Sequence, residues 1–250
     1  MGFSGSSDIY LDAIIEMNPL TKKVVWEWHS KDHLVQNYDS SKNNYGVISD
    51  NPNKININYP NKDEGDITHF NGLTLDEEND LIYVTALGFK EVWVVDHSTS
   101  PKLGGDLVYR FGNPLAYDND YGTITLANVH CPNLLDNGDL LVFANNYERG
   151  HSAVYEYKIN PPYSLKANQD NEPKIVWEFK DDDLFSLSIS GADRMSNGNT
   201  LIAEGTGTLW EVSSSGEVLW QNNDFQTPWR AYSVSSDSKI LEYLGISTKN

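Results

Sequence analysis

Four segments of the chain share one alternation of large apolar and polar positions. They are Val24-Val25-Trp26-Glu27-Trp28, Leu107-Val108-Tyr109-Arg110-Phe111, Ile175-Val176-Trp177-Glu178-Phe179 and Val218-Leu219-Trp220-Gln221-Asn222. A period of two belongs to a half-buried strand. Each segment follows another strand-like run across a polar connection: Ala13–Met17, Glu91–Asp96, Ala153–Ile159 and Thr208–Val212. The tightest connection, Ser213-Ser214-Ser215-Gly216, has hairpin-turn composition.

A second unit lies upstream in three of the four. Its clearest copy runs from His130 to Val142 around Asn137-Gly138, and Ser190 to Ile202 repeats it around Asn197-Gly198. His69 to Val84 is a looser copy that turns at Asp76-Glu77-Glu78-Asn79-Asp80. Asn-Gly between apolar runs signals a hairpin whose two turn residues accept positive φ. Hairpin plus hairpin makes a four-stranded propeller blade. The expected fold is all-β: one β-propeller domain over residues 1–250, with about four antiparallel blades visible. The blades fall near 66–111, 128–179 and 188–222, with strands of a partial blade at 13–28 and 230–244. The two ends either share a blade that closes a ring of about four, or belong to an open part of a larger ring. The inserts 35–65, 98–104, 112–127 and 161–173 are rich in Asn, Asp, Pro, Gly and Tyr, as rim loops are. The recurring Trp26, Tyr109, Trp177 and Trp220 read as inter-blade core.

Composition narrows the function. Apolar residues are 39% of the 250, which is globular. The net charge of −18 repels nucleic acid and anionic membranes, so neither is expected as a partner, and an anion site must build its own positive field. The four arginines, Arg110, Arg149, Arg194 and Arg230, are therefore informative. Cys131 is the one cysteine, so no intrachain disulfide forms. No apolar run approaches the roughly 18 residues of a membrane span, and residues 1–10 show no signal-peptide pattern. Phosphate loops, nucleophile elbows and zinc motifs are absent, so no cofactor and no metal are expected.

Side chains at the start of an innermost strand face the channel axis. His69, His130 and Ser190 all sit there. His130 and Ser190 each lie seven residues before the Asn of an Asn-Gly turn, while His69 is offset by one, which a bulge would absorb. Arg149 follows the second strand of its blade and is expected over His130, where a guanidinium fork matches a tetrahedral oxyanion. Asn71, Asn145, Ser190, Arg194 and Arg230 complete the candidate substrate-binding set. His29 and His33 have i, i+4 spacing but lack an obvious third ligand, so a structural corner is the expectation. Cys131 is expected buried.

The ordered set of segments resembles the bacterial arylsulfotransferases. It comprises Ile15-Glu16-Met17-Asn18-Pro19, Val25-Trp26-Glu27-Trp28-His29, Asp66-Ile67-Thr68-His69-Phe70-Asn71, Val92-Trp93-Val94-Val95-Asp96-His97, Gly105 to Pro114, His130 before its turn, Ile189-Ser190-Gly191-Ala192 and Arg230-Ala231-Tyr232. The resemblance implies a propeller enzyme, periplasmic or extracellular. Its activity would be transfer of a sulfuryl group from a phenolic sulfate ester to a phenolic acceptor, with no nucleotide donor. It implies a channel histidine that carries the group covalently, with His69, His130 and Arg149 at the catalytic, sulfate-holding positions. The register match to the family nucleophile is Ser190, not a histidine. Three functions thus stand open: a sulfuryl transferase, a catalytically silent propeller that binds a ligand or a protein, and a quinoprotein-like or assembly scaffold.

Overall fold

The alternating segments fold as antiparallel strands in a computed structural model of the chain, which describes residues 1–6, 8–60, 65–98, 105–236 and 238–246. Strands β1 (Ala13–Met17) and β2 (Val24–His29) form a hairpin, and β3 (Leu34–Val35) pairs in parallel with β4 (Ile55–Asn56). Three four-stranded meanders follow. The first is β5 (Phe70–Asp76), β6 (Leu81–Ala86), β7 (Glu91–Asp96) and β8 (Tyr109–Phe111). The second is β9 (Val129–Leu134), β10 (Leu140–Ala144), β11 (Ala153–Lys158) and β12 (Lys174–Lys180). The third is β13 (Gly191–Arg194), β14 (Thr200–Glu204), β15 (Thr208–Val212) and β16 (Val218–Asn222).

The turns differ from the expected pair of positive-φ residues. Gly138 and Gly198 have φ of +82° and +86°, but Asn137 and Asn197 do not enter the left-handed region. The Gly138 amide donates to the Leu135 carbonyl and the Gly198 amide to the Met195 carbonyl, so each turn is a tight loop whose last residue alone is left-handed. Asp80, at φ 55°, takes that conformation in the first sheet, where the sequence offers no glycine.

The sheets stack face to face, and their interfaces are the core. Trp26, Trp28, Ile55, Ile57 and Trp93 bury between the β1–β2 hairpin, the 35–60 insert and the first sheet. Tyr83, Val94, Phe111, Val142 and Tyr157 fill the gap between the first and second sheets; Phe143, Val154, Ile202 and Trp210 fill the next. The innermost strands β5, β9 and β13 lie side by side. Glycine permits this approach: a Cβ on Gly191 would stand 2.8 Å from Cys131 Sγ, and one on Gly72 would stand 2.9 Å from Pro132 Cδ. Cys131 is a buried free thiol, as expected.

Four expectations change. The 35–60 insert is not only rim: Ile48, Ile55 and Ile57 are core, and the buried Arg110–Glu91 pair ties the insert down by donating from Arg110 Nη1 to the carbonyls of Pro52 and Lys54. The insert at 98–104 lies mostly outside the described residues. The expected strands at 230–234 and 240–244 do not form. The first stretch spends its polar groups on side-chain bonds to distant backbone, and the second is a short helix, α1 (Lys239–Tyr243), whose first turn is capped by the Ser238 hydroxyl accepting from the Ile240 amide. Among the described residues the sheets therefore do not close into a ring, and β16 at the edge of the third sheet is mostly exposed. Trp220 is accordingly 44% exposed, whereas Trp26 and Tyr109 are buried.

Candidate functional site

A cavity of about 270 Å³ opens where the innermost strands begin. His69, Asn71, Asn128, His130 and Arg230 supply its polar lining; Leu87, Leu187, Ile189 and Trp229 supply its apolar one. The strand starts thus bring together both histidines and Asn71, and the C-terminal segment adds Arg230.

His69 immediately precedes β5 in the left-handed region, at φ 49°. Asp12 holds this segment by accepting from the Thr68 hydroxyl at 2.6 Å and the Phe70 amide at 2.8 Å. Asp66 lies 2.8 Å from His69 Nδ1 and so orients the half-exposed ring. The offset of His69 is absorbed by a bulge, with Phe70 opposite Ala86 and Gly72 opposite Thr85. Asn71 is fixed at both ends of its amide: it donates to the Val129 carbonyl and accepts from the Thr85 hydroxyl.

His130 lies on β9 and is 7% exposed. Burial is the main force on its basicity, pushing the imidazole pKa down from 6.5 to about 4. Contacts with the Asn128 carbonyl and the Asn145 side chain oppose the shift, and the neighbouring Arg230 and His69 add to it. The ring is therefore neutral at pH 7. Its Nδ1 lies 3.3 Å from the Asn128 carbonyl, an acceptor that places the proton on Nδ1 and leaves the lone pair on Nε2.

Arg230 comes from the C-terminal segment and bridges two sheets. Its Nη2 donates to the Asn71 carbonyl at 2.9 Å, and its Nη1 to the carbonyls of Ser190 at 2.9 Å and Trp229 at 3.2 Å. A guanidinium has five N–H groups, and these bonds take three of them. Among the described residues, Arg230 is the one Lys or Arg side chain lining the cavity.

The other candidates stand elsewhere. Arg149 does not reach over His130: the 3-10 turn Tyr147–Arg149 directs its guanidinium to the carbonyls of Ile124 and Thr125, and it does not line the cavity. Arg194 pairs with Glu156 at 2.7 Å and stacks on Trp177, four residues along the strand from Ser190. At a rise of ~3.3 Å per residue that is ~13 Å away. Asn145 is buried beneath the cavity and donates to the carbonyls of Ser186 and Ile189, which hold the wall containing Ile189. Ser190 is buried at φ 85°; its hydroxyl accepts from the Gly205 amide at 2.9 Å and does not line the cavity. Asp66, Asn128 and Trp229 were not singled out by sequence; the i, i+3 spacing of Asp66 and His69 was the available signal.

His29 contacts Glu27, and His33 stacks on Trp28 and contacts Asp106, which is a structural corner. Among the described residues no cluster of three or more His, Cys, Asp or Glu side chains is arranged to hold a metal ion. Nor, among them, is any helix long and apolar enough to cross a membrane.

No curated protein matches the chain. Among solved structures it is similar to BamB from Moraxella catarrhalis, at 12% identity, with a TM-score of 0.31. That likeness covers 62% of this chain but only 37% of the other, and it carries no argument about function. The family model for Arylsulfotransferase (ASST) matches residues 4–239, nearly the whole length, and the chain belongs to the arylsulfotransferase family.

Proposed function

We propose that this chain transfers a sulfuryl group from a phenolic sulfate ester to a phenolic acceptor, without a nucleotide donor, in the cavity of His69, His130 and Arg230. The observation that carries the reading is the meeting of two histidines and one arginine in a single cavity of a family member. His130, buried and neutral, is the nucleophile. Its Nε2 lone pair attacks sulfur, the N–S bond forms, and the bond from sulfur to the aryl oxygen breaks with its electron pair leaving on the phenolate. The remaining Arg230 donors hold the sulfuryl oxygens as charge shifts among them. His69, oriented by Asp66, protonates the leaving phenolate and then takes the proton of the incoming phenol. The acceptor oxygen attacks sulfur, the N–S bond breaks, and neutral His130 returns. Export to the periplasm or the cell exterior belongs to the same reading.

A second reading, a binding propeller, is favoured by one observation: Ser190, which the family resemblance sets at the register of the nucleophile, is buried and outside the cavity lining. The deciding experiment is p-nitrophenol release from p-nitrophenyl sulfate, with and without added phenol, by this chain and its His130→Ala variant. Phenol-dependent release that the variant loses supports sulfuryl transfer by His130. A folded chain that releases nothing, or a variant that stays active, overturns it.

A further inference from the structure

Residues 225–236 run as an irregular strap that is anchored at both ends on the third sheet and reaches the first sheet through its middle. The Phe225 amide donates to the Gly207 carbonyl at one end. The Ser233 amide and hydroxyl both donate to Asp193 at 2.8 Å at the other. Arg230 pins the middle to the carbonyls of Asn71 and Ser190. Beside this clamp Trp229 is left 67% exposed at the cavity, and Leu187, also on the lining, is 65% exposed. Large apolar side chains left in water beside a cavity with a polar floor are suited to a flat apolar ligand group.

We infer that the strap is the specificity element of the site: Trp229, with Leu87 and Leu187, is the wall that receives the aryl ring of the donor, and Arg230 positions that wall. This rests on the sulfuryl-transfer reading. It divides the site into a sulfate half, formed by His69, His130 and Arg230, and an aryl half carried by the strap. Removing the indole therefore weakens binding of the ring and leaves binding of the sulfate group unchanged. Because Trp229 is mostly exposed, its loss does not threaten the fold.

The test measures p-nitrophenyl sulfate turnover and inhibition by inorganic sulfate in Trp229→Ala, Trp229→Phe and, as a control remote from the cavity, Trp220→Ala. Trp229→Ala is expected to raise KM about tenfold with kcat within about twofold, since aromatic stacking plus burial is of that order. Trp229→Phe restores most of the loss, Trp220→Ala changes nothing, and sulfate inhibits all four proteins equally. An unchanged KM overturns the inference. So does a parallel loss of sulfate inhibition, which would make the strap merely structural. Calorimetric titration with p-nitrophenol separates this from the parent reading. If the wild type does not turn over, binding of p-nitrophenol that Trp229→Ala loses still supports the aryl wall. Equal binding by both proteins, or binding by neither, overturns it.

Discussion

Replacing His130 with glutamine separates its burial from every other pH effect in the molecule. The wild-type imidazole has a folded-state pKa of about 4 against an ordinary 6.5, chiefly because it is buried. Since the folded value is the lower one, the unfolded chain binds a proton in this window that the folded chain refuses. Stability is therefore lost as pH falls from 6.5 towards 4, and nothing is lost to this group above that window. From the two pKa values the loss is about 2 kcal/mol at pH 5 and about 3 kcal/mol at pH 4. Glutamine does not titrate, so His130→Gln lacks this slope while sharing that of every other group. The assay is urea unfolding of both proteins at half-unit steps from pH 7.5 to 4.5. The difference between their unfolding free energies should shift by about 2 kcal/mol in favour of the variant by pH 5. On the proposed function the same depressed pKa keeps His130 neutral in mild acid, so the acid limb of kcat/KM is expected near pH 4 rather than 6.5. Parallel stability curves, or an acid limb near 6.5, refute the argument that burial holds His130 neutral.

Three further outcomes follow from particular contacts. Arg230→Gln should lower kcat/KM for p-nitrophenyl sulfate by about 100-fold, the scale of losing an oxyanion donor, while Arg149→Gln, which leaves the cavity intact, stays within about threefold of wild type; equal losses would refute the placement of Arg149. Burial raises the Glu172 carboxyl to about 8, so its charged form is disfavoured in the folded state and stability is lost as pH rises from 4.5 through 8; Glu172→Gln should gain a few kcal/mol at pH 8.5 and almost nothing at pH 4.5, read by urea midpoints. Gly191→Ala should cost about 1–3 kcal/mol by pressing on Cys131 Sγ, and Cys131→Ala should recover part of that cost in the double variant, read as a coupling energy.

The blades were legible because their signal is local. Leu81–Ala86 and Leu140–Ala144 are apolar almost throughout because both faces of those strands are covered, and the glycines that end the turns stand at fixed offsets. The meeting of His69 and His130 was legible for the same reason, since register carries residues at repeated positions to one end of the sheets. What failed was non-local. Arg149 was misplaced because a 3-10 turn after β10 reverses its direction, and no period encodes that. The strap was read as strand because Arg230-Ala231-Tyr232-Ser233-Val234 alternates in size. Its backbone is fixed instead by bonds from Arg230 to Asn71, 159 residues away, and from Ser233 to Asp193. Glu91 and Arg110 sit on two strand segments that were read as ordinary alternation. Only the structure shows them pairing with no exposure at all.

On the proposed function, the charge balance of the cavity would set a selectivity that the fold alone does not. The chain carries a net −18, so the field outside opposes any anion, and among the described residues lining the cavity one guanidinium is the compensating cation. His130 adds no charge because burial keeps it neutral. His69 stands against Asp66, whose carboxylate offsets any proton the ring carries. A sulfate monoester bears one negative charge, which Arg230 balances. A phosphate monoester bears nearly two at pH 7, and the second would sit uncompensated in a partly desolvated site. p-Nitrophenyl phosphate, equal in shape, is therefore expected neither to be cleaved nor to inhibit at concentrations where the sulfate ester saturates. Lowering the pH to 5.5, towards the second phosphate pKa, raises the monoanionic fraction and should make it a measurable competitor. Competition at pH 7.5 equal to that at pH 5.5 would mean that shape rather than charge governs the site.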